Sequence, residues 1–126
     1  MGPDLDKFER QLLASMSEDK LPILLIGFEG GKPIGTAALK LQELEDFYPD
    51  CQYWLGSVFV SDEYRGQGYA ALLSKEILSI AKQRGLPHLY LQTTASDGGL
   101  YAKLGWQSVQ KFMHKRETTL LMLQKL

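Results

Sequence analysis

Cysteine is nearly absent from this sequence. Cys51 is the only one among 126 residues, so no intrachain disulfide forms. Beside just two histidines, a single cysteine excludes the usual Cys/His structural zinc sites. Neither charge sign dominates: 14 Lys+Arg stand against 15 Asp+Glu, with a net charge of -1 and a pI near 6.1. Such a balance lacks the basic field of a protein that lives on nucleic acid or anionic lipid, so neither is expected as a partner. Long apolar runs are missing too. The longest, Leu21 to Phe28, contains Pro22 and falls far short of the roughly 20 residues that span a bilayer. The opening MGPDLDKFERQ is charged where a signal peptide needs an apolar stretch. Repeats and low-complexity segments are also lacking. These absences predict a cytoplasmic protein that uses no metal.

What is present is ordinary globular material, 44% hydrophobic and 23% charged. At this length folding removes roughly two-thirds of the unfolded chain's accessible surface, enough for one domain over residues 1–126. The first twenty residues read as a helix, with Asp4 as N-cap and Leu5, Phe8, Leu12 and Met16 at helical spacing. PILLIGFE and PIGTAALKLQ read as strands joined by a tight Gly30-Gly31 turn. Glu43 to Asp50 reads as a surface loop, and QYWLGSVFV as a strand rich in aromatic and β-branched residues. Tyr69 to Arg84 is the clearest helix. Ala70, Leu73, Ile77, Ile80 and Ala81 mark its apolar face, with Ser74, Lys75, Lys82 and Gln83 off it, and Gly85 and Pro87 ending it. HLYLQTT is a strand, SDGGLYAKL a short helix, and WQSVQKFMHK and TTLLMLQKL two further strands with Arg116-Glu117 between them. The order α-β-β-β-α-β-α-β-β predicts a mixed, mostly antiparallel sheet. Its one parallel pair comes from the central strand–helix–strand unit.

Chemistry concentrates at Arg65-Gly66-Gln67-Gly68-Tyr69-Ala70, between a strand and the long helix. Glycines let backbone approach a ligand closely. The first amides of a helix lack intrahelical acceptors and carry partial positive charge, which suits a phosphate or pyrophosphate. Arg65 adds a positive charge with several donors. The loop is neither a Walker A motif, having no Lys-Ser/Thr after its second glycine, nor the dinucleotide fingerprint, whose third glycine is missing. The plain alternative is a glycine turn without a ligand.

VFVSDEYRGQGYAALL resembles the signature segment of the GNAT superfamily of acetyl-CoA-dependent N-acetyltransferases. Arg65, Gly68 and Ala70 fill the signature positions after the strand Val58-Phe59-Val60. LYAKLGW, Leu100 to Trp106, resembles the family's downstream segment, and the two follow in the right order with HLYLQTT between them. The resemblance implies that the backbone of Gly66, Gln67, Gly68, Tyr69 and Ala70, with Arg65, holds the coenzyme A pyrophosphate. Val58, Phe59 and Val60 would offer backbone groups to the pantetheine arm as if it were another strand. The acetyl thioester would lie where this strand splays from HLYLQTT, its carbonyl polarised by a backbone amide. Tyr101 matches the position whose phenol protonates the departing thiolate. The plain alternative for Tyr101 is a packing residue.

Three departures accompany the resemblance. Many relatives carry a Glu, acting as general base, four residues before the last Val of the signature strand. Here that position is Gly56, and no carboxylate lies between Gln52 and Ser61. Glu43, Glu45, Asp46 or a water chain would have to serve, although a polar loop is expected to leave those three in solvent. Thr94-Ala95-Ser96-Asp97 stands where many relatives place Asn. The TT-x-x-x-x-x-LY spacing resembles the branch that acetylates protein N-termini and similar small primary amines. Finally, relatives usually begin with an extra strand and helix, and this chain is expected to lack them. The acceptor cleft would then be open or completed by a second subunit, and the exposed sheet edge favours a homodimer.

The remaining polar residues read as bland. His88 and His114 are expected near the surface, Cys51 has no positioned base, and Trp54 and Trp106 read as packing residues. The leading expectation is direct acetyl transfer from acetyl-CoA to a primary amine. The acidic Glu43–Asp50 loop favours a cationic acceptor such as a polyamine, aminoglycoside or peptide amine. The alternatives are a coenzyme A-binding regulatory module without catalysis, and a small binding domain whose glycine loop is unrelated.

Overall fold

The computed structural model describes residues 8–14 and 21–126. Seven strands form one sheet: β1 (Phe8–Ala14), β2 (Ile23–Glu29), β3 (Lys32–Lys40), β4 (Trp54–Val60), β5 (His88–Thr93), β6 (Gln107–His114) and β7 (Glu117–Lys125). Their spatial order is β1-β2-β3-β4-β5-β7-β6. Helix α1 (Tyr69–Gln83) crosses from β4 to β5, and α2 (Gly99–Lys103) precedes β6. Only β4 and β5 run parallel; every other neighbouring pair is antiparallel. The mixed α/β class expected from the element order is the observed one.

The N-terminal expectation is corrected. In place of a helix over the first twenty residues, Phe8–Ala14 forms β1, antiparallel to β2 from Phe8↔Glu29 to Ala14↔Ile23. Asp4, Leu5 and Met16 lie outside the described residues. The apolar spacing of Phe8 and Leu12 fits a helix, but the neighbouring edge of β2 offers a full ladder, and pairing overrides local pattern. The sheet therefore has a strand ahead of β2 where none was expected. The edge on this side is β1 rather than β2.

Local chemistry explains the other elements. Gly30 and Gly31 take left-handed φ of 57° and 78°, and Lys115 and Arg116 take 51° and 66°. Both pairs make the two-residue hairpin turns whose twist matches the flanking strands. The second turn is thus one residue earlier than the Arg116-Glu117 read from the sequence. Helix α1 ends in a double backbone cap, Leu86 N–H to Ala81 C=O and Gly85 N–H to Lys82 C=O, around a left-handed Gly85. Its buried stripe is Tyr69, Leu73, Ser74, Ile77 and Ala81. These side chains pack on Ile23, Leu25, Ala37, Leu39, Leu55 and Leu89 from β2 to β5. Ser74 was expected off this face, yet it is fully buried, because position 74 lies one turn from both 70 and 77. Across the sheet, Leu44, Trp54 and Leu121 form a smaller buried cluster.

Candidate active site

The parallel pair that supports the site holds together only at one end. Its ladder consists of Trp54↔Tyr90, with Tyr90 N–H bonding Tyr53 C=O at 2.9 Å. Beyond it β4 carries a bulge. Thr36 pairs with Phe59 and Ala38 with Gly56, so two residues of β4, Ser57 and Val58, oppose Ala37 alone. Ser57 takes the left-handed φ of 51° that the extra residue requires, and its carbonyl accepts a 2.8 Å hydrogen bond from Thr36 Oγ1. A bulge bends its strand and strengthens its twist. Here it turns β4 away from β5 and opens a cleft of about 390 Å³.

Residues from five segments line that cleft: Glu43, then Leu55 to Val58, Leu91 to Thr94, Tyr101 and Thr119. A second cavity of about 250 Å³ lies at the start of α1, lined by Val60, Tyr64, Arg65, Gly66, Gly68 to Ala71 and Leu100. The two follow one another along the molecule. Val58 and Val60, two apart on one face of β4, line the first and the second, and so do Tyr101 and Leu100 of α2.

Gly66 and Gly68 adopt φ of 77° and 90°, and Gly68 is the N-cap of α1. The first turn of α1 contains no acidic residue. Its dipole and amides thus face the smaller cavity without a competing carboxylate, a donor set suited to a pyrophosphate. Gln67 is held back by its side-chain amide, which donates to Glu63 C=O at 3.2 Å. The Arg65 guanidinium is committed within the chain. Nε donates to Val60 C=O at 2.9 Å, Nη1 pairs with Asp62 at 2.9 Å, and the group lies over the Phe59 ring. Phe59 itself is 55% exposed and is paired with Thr36 of β3. Of the three residues Val58, Phe59 and Val60, two line a cavity and the third does not.

Tyr101 is half-buried at the back of the larger cleft, its ring edge-on to Trp106 at 6.2 Å. Burial pushes its phenol above the ordinary tyrosine value. A side-chain hydrogen bond with Ser74 pulls the other way, and the Glu43 carboxylate adds to the rise. The phenol therefore keeps its proton throughout the neutral range. Ser74 Oγ donates to Ala70 C=O at 2.7 Å. Asp97 Oδ1 accepts from Gly99 N–H at 2.9 Å, an Asx turn just ahead of the short helix that carries Tyr101, whose N-cap is Gly98.

The three carboxylates of the acidic loop part company. Glu45 and Asp46 are exposed, as expected. Glu43 is not solvated: its side chain is 18% exposed and lines the cleft. The loop is tied down by Gln42, whose Oε1 accepts from the Glu43 and Leu44 amides at 2.8 and 3.0 Å. Leu44 is buried against Trp54 and Leu121. Glu43 Oε1 accepts from Gln92 Nε2 at 2.7 Å, and Oε2 lies 3.8 Å from Lys40 Nζ. Oε2 is buried without a hydrogen-bond partner. A Cβ built on Gly56 would collide with it, while Glu43 Cδ and Lys40 Cδ stand 3.2 and 3.3 Å from the same point. Sequence reasoning missed Ser74, Gln92 and Lys40, and it expected Glu43 in solvent. The nearest signal was a serine on the spacing of an apolar helix stripe.

The bland residues hold few surprises. Trp54 and Trp106 are buried packing residues, and Trp54 Nε1 donates to Cys51 C=O at 2.7 Å. His88 and His114 are half-buried among aromatic rings, away from both cavities. Among the described residues no cluster of His, Cys, Asp or Glu could hold a metal ion, and no helix is long and apolar enough to cross a membrane.

Comparison with known proteins places this geometry. The acetyltransferase (GNAT) family model matches residues 2–106. Human N-acetyltransferase 8B is 30% identical over 102 residues, 78% of this chain and 39% of that protein. The uncharacterized N-acetyltransferase CgeE of Bacillus subtilis is 36% identical over 56 residues, 43% of this chain and 22% of that protein. The chain thus spans well under half the length of these curated relatives. In fold it is similar to a GNAT family acetyltransferase from Elizabethkingia anophelis with acetyl-CoA bound. The TM-score is 0.71 at 14% identity, covering 96% of this chain and 99% of that one.

Proposed function

Because the chain belongs to the acetyltransferase (GNAT) family, we propose that residues 1–126 act as one N-acetyltransferase domain that moves an acetyl group from acetyl-CoA directly to a primary amine. The observation that carries this reading is the run of two cavities along β4. One ends on the glycine-bounded start of α1, and the other holds a protonated Tyr101 beside the opened β4–β5 pair. The amides from Gly66 to Ala70 bind the pyrophosphate. The backbone of Val58 and Val60, freed from β5, accompanies the pantetheine arm. Arg65 lines the smaller cavity with its guanidinium over the Phe59 ring, and together they shape the loop and its strand.

The chemistry follows from the cleft. The amine nitrogen attacks the thioester carbon, a backbone donor of the opened strand stabilises the oxyanion, and the carbon–sulfur bond breaks with its electron pair on sulfur. Tyr101, its phenol held neutral by burial, delivers a proton to that thiolate. The acceptor is a primary amine on a small molecule or peptide. The buried Glu43 carboxylate favours one that arrives as a cation.

The test is turnover. Purified protein is mixed with acetyl-CoA and a panel of primary amines: polyamines, aminoglycosides and short peptides with free N-termini. Free thiol and the mass gain of one acetyl group are read together. Amine-dependent release of both supports the enzyme. Tight acetyl-CoA binding without acetylation of any amine would favour a coenzyme A-binding module instead, and no binding at all would remove both.

A further inference from the structure

The transfer just proposed leaves a proton unaccounted for. A primary ammonium brings three protons to its nitrogen and the product amide keeps one. Tyr101 handles one of the other two, since the proton it gives to sulfur must be replaced. The remaining one needs an acceptor in the cleft, and Gly56 supplies no side chain. We infer that Glu43 is the general base of this enzyme, reaching from the β3–β4 loop into the space that a side chain at position 56 would occupy. This assignment rests on the acetyltransfer reading.

The geometry carries it. Glu43 Oε2 stands so close over Gly56 that a Cβ there could not coexist with it. The carboxylate belongs to the cleft wall that Tyr101 also lines. Oε1 is pinned by Gln92 from β5, so the group is oriented, while Oε2 has no donor. A buried carboxylate oxygen with no hydrogen bond is costly to keep unless something it meets in use supplies the proton. The Gln42 side chain and buried Leu44 hold the loop in place, so this is a fixed group on a short tether. The charged and titratable groups around it are Lys40 from β3, 3.8 Å from Oε2, and Tyr101 from α2. Gln92 from β5, Thr119 from β7 and Gly56 from β4 carry no charge. Glu45 and Asp46 on its own loop are exposed.

The step balances. Glu43 takes a proton from the ammonium, directly or across one water, and the freed lone pair forms the nitrogen–carbon bond as the carbonyl π pair moves to oxygen. Collapse breaks the carbon–sulfur bond, sulfur takes the Tyr101 proton, and the second nitrogen proton restores the phenol. Glu43 then releases its proton to solvent. The sum is R–NH3+ and acetyl-CoA giving the acetamide, free coenzyme A and one H+.

The experiment compares wild type, Glu43→Gln and the exchange variant Glu43→Ala/Gly56→Glu, with an amine that the wild-type protein acetylates. Acetyl-CoA affinity and melting temperature are measured alongside. Glu43→Gln should lower kcat/KM at pH 7 by about a hundredfold or more, with acetyl-CoA affinity within threefold of wild type. Its rate should rise with pH as the free-amine fraction grows, toward the amine's own value near ~10, whereas the wild-type profile levels off earlier. The exchange variant, which moves the carboxylate to the strand, should regain at least tenfold over Glu43→Ala. A Glu43→Gln rate within threefold of wild type, or an unchanged pH profile, overturns the base and leaves the transfer standing. Binding of acetyl-CoA by wild type without acetylation of any amine overturns the transfer and the base together.

Discussion

The two cavities along β4 are built in opposite ways. The smaller one is nearly a single stretch of chain, Val60 to Ala71 with Leu100 added, and what it offers is backbone: left-handed glycines and the amides that open a helix. The larger one gathers side chains from five segments between Glu43 and Thr119, and what it offers is a phenol, a carboxylate and the groups that aim them. A site made of backbone tolerates changes of side chain but not an added Cβ. A site made of side chains can have a functional group supplied from a different part of the chain, as long as the atoms reach the same place.

The sharpest way to break this contrast is at Gly68. It caps α1 at φ 90°, so Gly68→Val both strains the backbone and crowds the helix start. Acetyl-CoA at one hundred times its dissociation constant stabilises a protein by about 2.7 kcal/mol. In thermal melts that shift should be present in wild type and gone in Gly68→Val. A mutant that responds to acetyl-CoA as wild type does would remove the loop from the site.

On the side-chain half, Tyr101→Phe should lower kcat about tenfold to a hundredfold and leave acetyl-CoA affinity intact, because thiolate is a good leaving group and needs only modest help. The ring and its edge contact with Trp106 remain, so the melting temperature should move by no more than the worth of one hydrogen bond, about 1 kcal/mol. Steady-state kinetics and melts together decide. A kcat within threefold of wild type, about 0.6 kcal/mol, ends the general-acid role.

A smaller effect is expected where a side chain belongs to the backbone-built half. Arg65 is spoken for by Val60 C=O and Asp62, so Arg65→Ala should weaken acetyl-CoA binding less than tenfold in calorimetric titration. A hundredfold loss would mean that the guanidinium leaves Asp62 for the ligand, and the contrast between the halves would blur.

The smallest effect lies in alkaline stability. Burial raises the Tyr101 phenol, so above about pH 10 the unfolded chain releases this proton before the folded chain does, and stability falls as pH climbs. Tyr48 and Tyr90 are raised by burial too and contribute in the same direction. Denaturant titrations between pH 9 and 11 should show a shallower decline in Tyr101→Phe than in wild type. An identical decline would place the phenol in solvent.

Legibility followed the same division. The glycine loop, its helix and the Gly85 stop could be read because each depends on neighbours within a few residues: a positive φ, a free amide, a stripe recurring every turn. Tyr101 was reached by another route, the resemblance of LYAKLGW to the family's downstream segment, and the structure sets it in the larger cleft. Phe8–Ala14 misled because its spacing suited a helix while its partner, β2, lay beyond the reach of local pattern. Ser74 misled because a small polar residue on an apolar stripe is compatible with burial only when something hydrogen-bonds it, and its partners are Ala70 and the distant Tyr101.

The amino-acid sequence by itself determined the element order from β2 onward, the Gly30-Gly31 turn and the glycine-bounded start of α1, since these are set by φ, by free amides and by periodicity within one segment. Only the tertiary structure decided that Glu43 leaves solvent. Leu44 beside it is drawn into the cluster with Trp54 and Leu121, Gln42 closes the turn, and Gly56 leaves open the volume that the carboxylate fills. The distance between residues 43 and 56 is set by the pairing of β3 with β4 and by the bulge at Ser57. A side chain's surroundings depend on which strands pair and where they bend, and no single segment of the sequence carries that information.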